Sequence, residues 1–243
     1  MIAILQWTTL AVCCVVTLIR VPSVLRGENR SLFWIFALMT LAILLSIDAP
    51  YLAVDQVLGG MNFANLVLRF VIFGGIFFLG IRLARGFSAC DALQLITGPV
   101  GITVAAAASI AVVAVFLMMD TAGSSAGLVA VFAKDGRNAA LVEYYGAAGR
   151  LYPAFITAAL FPAMVRTLRS GLPALVRSSA ALLALGTVAI CLSVLSPVIP
   201  SSLSFMKFVF NYSAVLCLVL GLSLIWVGKA LAKRAPKKQA GMT

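Results

Sequence analysis

Apolar runs long enough to cross a bilayer recur along the whole 243-residue chain, and this recurrence leaves few folds open. Crossing the hydrocarbon takes about 20 mainly apolar residues in a helix. The runs cover residues 2–19, 32–47, 63–81, 99–119, 179–195 and 205–227, and a further helix begins near Asn138 and continues to about Val165. No water is present in hydrocarbon to satisfy backbone groups, so each run must close its own hydrogen bonds as a helix. Composition agrees. The chain is 63% apolar and 10% charged, with a mean hydropathy of +1.13, whereas soluble domains are about half apolar and a quarter charged. The expected fold is an all-α, polytopic transmembrane bundle of seven spans over residues 1–228, followed by a basic cytoplasmic tail over 229–243.

Cations orient the bundle. Arg20, Arg26, Arg30, Arg82, Arg85, Arg166, Arg169 and Arg177 fall at one set of span ends, together with five tail cations from Lys229 to Lys238. The opposite ends hold Arg69, Lys134, Arg137, Arg150 and Lys207, balanced by Asp48, Asp55, Asp120, Asp135 and Glu143. Loops rich in Lys and Arg stay in the cytoplasm. Seven spans with the amino terminus outside and the carboxyl terminus inside satisfy this rule at every loop. The start, MIAILQW, lacks a basic stretch ahead of its apolar run, and Arg20 follows that run instead. This is the wrong polarity for a cleaved signal peptide. The net charge of +11 is therefore a topological signal, and no nucleic-acid partner is expected.

Several chemistries are disfavoured. The chain has no histidine, which removes Ser-His and Cys-His nucleophile pairs, His-containing zinc sites and histidine proton relays. The five cysteines form no C-x-x-C pair and read as packing residues. No Gly-rich phosphate loop or metal cluster is present. No enzyme activity, cofactor or metal is expected. The lipid bilayer is the evident partner, and a protein partner remains open.

The polar chemistry gathers in the outer half. Asp48-Ala-Pro50 ends the second run, Asp55 and Asn62 follow in its loop, and Asn65 and Arg69 lie at the head of the third. Arg69 enters the outer leaflet, where a cation usually faces the bundle or water. It can contact an anion or substrate in an outward cavity. It can equally pair with Asp48, Asp55 or Asp120, or snorkel to the surface. Lys207 and Asn211 share one face of the last span at four-residue spacing. A polar cavity lined by Asp48, Asp55, Asn62, Asn65, Arg69, Lys207 and Asn211 is the expected site. In the tail, Lys233, Arg234, Lys237 and Lys238 are expected to contact anionic lipid headgroups at the cytoplasmic face, each adding about 1 kcal/mol.

PSVLRGENRSLFW, followed by DAPYLAVDQVLGGMNFANL, resembles a family of actinobacterial multi-pass membrane proteins of unknown function, sometimes labelled transporters. The resemblance rests on Pro50, Tyr51, Asp55, Gly59, Asn62, Ala64 and Asn65. It extends through EYYGAAGRLYPAFITAALFPAMVRTLRS and LVRSSAALLALGTVAICLSVL. Many members, as the resemblance implies, continue into a cytoplasmic domain where this chain has its basic tail.

The leading expectation is a plasma-membrane protein that binds or translocates a small solute through an outward-facing polar cavity. The alternative is a receptor-like signalling or scaffold protein acting through its cytoplasmic loops. The absence of an internal repeat counts against an inverted-repeat transporter. The topology is testable directly. A reporter active only in the cytoplasm should work when fused after Thr243 and stay silent between Ser124 and Ser125. The opposite pattern reverses the map.

Overall fold

The computed structural model describes residues 2–27, 30–200 and 203–234, and among these every regular element is a helix. In chain order they are α1 (Ile2–Leu25), α2 (Arg30–Leu44), α3 (Asp48–Val57), α4 (Phe63–Gly86), α5 (Cys90–Thr97), α6 (Pro99–Met118), α7 (Val129–Phe132), α8 (Gly136–Leu168), α9 (Ala174–Val194) and α10 (Ser204–Arg234).

Five of them, α4, α6, α8, α9 and α10, are long and apolar enough to cross a membrane. The expected seven spans are thus met in five helices by length and composition. The second expected span breaks. Helix α2 has 15 residues, about 22 Å at 1.5 Å per residue, and α3 turns away from it by 92°. Counted as one bent span, the pair makes six. Helix α1 is longer than the run that predicted it. It passes through Pro22 and ends at Leu25, beyond the apolar run of residues 2–19. Neighbouring groups in membrane bundles commonly make up for a missing proline donor. Thr17 of α1 and Thr40 of α2 meet at 3.2 Å between hydroxyls, which seats the two helices as an antiparallel hairpin.

The centre of the bundle is α8. Its 33 residues include Pro153 and Pro162 and bury residues from Asn138 to Met164. Its fully enclosed Tyr145, Ile156, Leu160 and Met164 pack with Val112 and Phe116 of α6 and Leu183 of α9. Helix α6 shows how a span is divided between protein and lipid. Gly101, Ala108, Val112 and Phe116 are buried and recur at helical spacing, forming one stripe. Ile102, Ile110 and Leu117, off that stripe, stay exposed although wholly apolar. Water would penalise that surface, but lipid does not.

Burial supplies little drive between helices in lipid, so small residues that admit close approach decide the contacts. Gly74 of α4 faces Leu38 of α2, and Gly221 of α10 faces Leu183 of α9. Gly80 of α4 lies against Ile156 of α8, and a Cβ added there would stand 2.6 Å from Ile156 Cγ2. Gly80→Ala should therefore destabilise the bundle by about 1–3 kcal/mol through overpacking. Ile156→Ala removes the obstructing methyl and should recover part of that loss. Thermal unfolding of the two single variants and the double variant in detergent measures the coupling. Additive losses would mean that the two residues do not meet.

Candidate functional site

The connection between α3 and α4 must reverse the chain in a few residues. Gly59 and Gly60 supply positive φ angles of 102° and 70°, and Asn62 follows at 59°. Asparagine tolerates this left-handed region better than most side chains. The turn places Asn62 at the head of α4 without a capping bond from its own side chain. The cap comes from Asp55 instead. Its Oδ2 accepts the Asn62 N–H at 2.9 Å and its Oδ1 accepts the Ala64 N–H at 2.9 Å. Ser124 Oγ donates to the same Oδ2. A carboxylate at a helix N-terminus is stabilised by the donors it satisfies and by the helix dipole.

Asn62 completes the clamp. Its Oδ1 accepts from the Tyr51 hydroxyl at 2.8 Å and from the Ser125 N–H at 2.9 Å. Its Nδ2 donates to the carbonyls of Thr121 and Gly123, both at 2.9 Å. All four side-chain hydrogen-bond positions of the amide are filled. Tyr51, Asp55 and Asn62 are each 0% exposed, and Tyr51 and Asp55 share one face of α3 at four-residue spacing. The clamp therefore ties the α3–α4 turn to the loop that follows α6.

Beyond it, the Asp120 N–H donates to Asn138 Oδ1 at 2.9 Å, and Asp135 caps α8 by accepting the Asn138 N–H at 2.6 Å. Lys134 pairs with Asp120 at 2.9 Å and holds that exposed carboxyl below the usual carboxylate range. Lys207 of α10 pairs with Glu143 of α8 at 2.8 Å.

The seven expected cavity residues thus separate into groups. Asp55 and Asn62 have their polar atoms engaged in the clamp. Asp48 is exposed at the start of α3, and Asn211 is exposed on α10. Lys207 is held by Glu143. Asn65 and Arg69 remain together on α4, one helical turn apart.

The ion pair expected between Arg69 and Asp48, Asp55 or Asp120 does not form. Asp55 is taken up by backbone donors and Ser124, Asp120 has Lys134, and Asp48 is on the surface. Arg69 instead lies over the ring of Tyr145, with 4.9 Å from its Cζ to the ring centroid. Its chain packs on Gly149, where an added Cβ would come within 3.0 Å of Arg69 Cδ and Nη1.

Arg150 follows Gly149 and brings a second guanidinium within electrostatic reach of Arg69 and of the Glu143 carboxylate that Lys207 holds. Its Nη1 donates to the Ser193 carbonyl at 3.2 Å and to Ser196 Oγ at 3.0 Å. Among the described residues, neither arginine has a carboxylate at ion-pair distance. Three buried polar atoms here have no partner at hydrogen-bonding geometry: Asn65 Oδ1, Arg69 Nε and Tyr145 Oη. The Tyr145 hydroxyl and the Arg69 guanidinium are neighbours that stop short of such geometry.

One turn further along α4 the contact with α8 turns apolar. Phe73 packs on Tyr152 with ring centroids 5.3 Å apart, and Ile156 and Leu160 continue the same buried seam. Sequence reading missed Tyr51, Ser124, Ser125, Tyr145, Gly149 and Arg150 as site members. Tyr145 and Arg150 are separated from Arg69 by about 80 residues of chain, and only helix packing joins them. Of the tail cations, Lys233 and Arg234 fall at the end of α10, while Lys237 and Lys238 lie outside the described residues.

Comparison of the chain with protein-family models, with curated proteins and with solved structures found no match.

The clamp makes a sharp prediction. Asp55→Ala exposes two α4 donors to a site without acceptors and should cost about 2–4 kcal/mol. It should also free the 119–125 segment, read as faster hydrogen exchange at Thr121 to Ser125. Asp55→Asn should lose less, because its amide oxygen still accepts. Equal exchange in all three proteins would remove the clamp from the account.

Proposed function

We propose that this is a seven-span membrane protein, amino terminus outside and carboxyl terminus cytoplasmic, that binds a small anionic solute in its outer half between α4 and α8. The observation that carries this reading is the Arg69–Arg150 pair. Two guanidiniums, on α4 and α8, lie within electrostatic reach of each other and, among the described residues, have no carboxylate at ion-pair distance; orphaned polar atoms of Asn65, Arg69 and Tyr145 stand beside Arg69. Buried cations are normally paired, and intramembrane cations mark solute and ion pathways. An anion between the arginines supplies the missing charge. The Tyr145 hydroxyl and the unused Nε of Arg69 are then available as its donors.

The topology is supported by the cation asymmetry of the loops and by the α1–α2 hairpin, which brings α1 alongside a helix running the other way. The same reading places the protein in the plasma membrane, and the cation rule supports its orientation there. The apolar seam of Phe73, Tyr152, Ile156 and Leu160 beneath the arginines favours a binding site with a floor over an open pore. It fits either a solute sensor or a carrier at rest facing outward.

The test is anion-dependent stability of the detergent-solubilised chain. Sodium succinate and sodium phosphate are each compared with sodium chloride at matched ionic strength. A bound anion at about 100 times its dissociation constant adds about 2.7 kcal/mol, a rise of several degrees in the unfolding midpoint. Arg69→Gln and Arg150→Gln should each remove the rise, and Arg69→Lys should keep part of it. A rise no larger than that in chloride, or one unaltered in both glutamine variants, would leave the arginines as surface-seeking cations and end the proposal.

A further inference from the structure

The cation-rich ends of the helices enclose a different feature. The α1–α2 hairpin packs on α4, α4 on α8, α8 on α9 and α9 on α10. Between the first of these groups and the last the bundle does not close. Leu32 and Phe36 of α2, Leu79 of α4, Val176 of α9, and Leu222 and Ile225 of α10 face a cavity of about 620 Å³. Its walls are apolar except at one end. There Arg82, exposed at the end of α4, stands with Ser88 and Thr167. The Thr167 hydroxyl is already given to the Ala163 carbonyl. Arg85, Arg166, Arg169 and Arg177 are exposed at the same end of the bundle, and among the described residues no carboxylate pairs with any of them or with Arg82.

We infer that this cleft is a binding site for one anionic glycerophospholipid, with an acyl chain between α2 and α10 and the phosphate at Arg82. The volume lies within the range of built ligand sites. Water does not fill an apolar cleft of this kind, since each molecule needs two to four polar partners. Left empty, the cleft would forfeit the close packing that interiors keep. The surroundings of a membrane helix offer one abundant apolar filler, the acyl chain. The charge at the mouth then selects the headgroup. Arg82 presents a fork of donors matched to phosphate oxygens. Basic pockets between spans on the cytoplasmic side bind anionic headgroups in this manner. The site differs from the expected contact of the tail with lipid, which is a surface attraction without a seat for the chain. It stands independently of the anion site in the outer half, at the other end of the helices.

The experiment uses the full chain, purified in mild detergent and supplied with equal amounts of phosphatidylglycerol and phosphatidylcholine of the same acyl length. Retained lipid is counted by native mass spectrometry. One phosphatidylglycerol should remain per chain, in preference to phosphatidylcholine. Arg82→Gln should lower that preference about five- to tenfold while some lipid of either kind still binds. Leu79→Trp, and separately Leu222→Trp, should fill the cleft and reduce retention of both lipids, with the unfolding midpoint checked to show that each variant folds. Removing residues 235–243 should leave the preference in place. Equal retention of the two lipids by the unaltered chain overturns the inference. So does a preference that survives Arg82→Gln, or one lost with the tail alone, which would assign it to surface attraction.

Discussion

A polar group in hydrocarbon must find its partner within the protein, and the whole structure follows from that requirement. Each long run becomes a helix because a helix alone satisfies its own backbone. Polar side chains are then pushed to the ends of the helices. There they are used up: Asp55 on the first donors of α4, Asn62 on Tyr51 of α3 and on the 121–125 loop, Asp135 on the head of α8, and Lys207 on Glu143. Within the spans, serine and threonine hydroxyls return to carbonyls three or four residues back, as at Thr103, Thr157 and Thr187. Little polarity is left unspent.

This economy gives Arg69 its meaning. In a protein that pairs its polar groups so thoroughly, a guanidinium without a carboxylate, set beside a tyrosine hydroxyl and an amide oxygen that also lack partners, stands out. Glycine at position 149 makes the arrangement possible, since any Cβ there would crowd the Arg69 chain. Arg150 is directed to the α9–α10 corner by Ser193 and Ser196. The two arginines are thus held in place by packing and by neutral acceptors, with no carboxylate at ion-pair distance among the described residues.

The two ends of the bundle differ in kind. The end away from the cation-rich loops is tied by hydrogen bonds between its loops, and its helices meet in an apolar seam next to the arginines. The cation-rich end holds a cleft, because the α1–α2 hairpin packs on α4 while α10 packs on α9.

Much of this architecture was legible in the sequence. Apolar runs marked most helices to within a few residues, and cations marked the ends that share a side. Helices α3 and α5, of 10 and 8 residues, are too short to cross by themselves. The sequence also pointed to Asp55, Asn62, Asn65 and Arg69 as unusual, since polar residues beside an apolar run are costly. It did not say which of them had partners. That was decided by tertiary structure, through the approach of the loop after α6 to the α3–α4 turn and of α8 to α4. Asp55 and Asn62 look like cavity residues until Ser124, Ser125, Thr121 and Gly123 arrive at hydrogen-bond distance from residues some 60 positions earlier. Arg69 looks like one half of an ion pair until each nearby acid proves to be engaged or exposed elsewhere. Hydrophobic pattern is a local property and survives in one dimension. The satisfaction of a polar group is a property of two or more segments, and only their packing determines it.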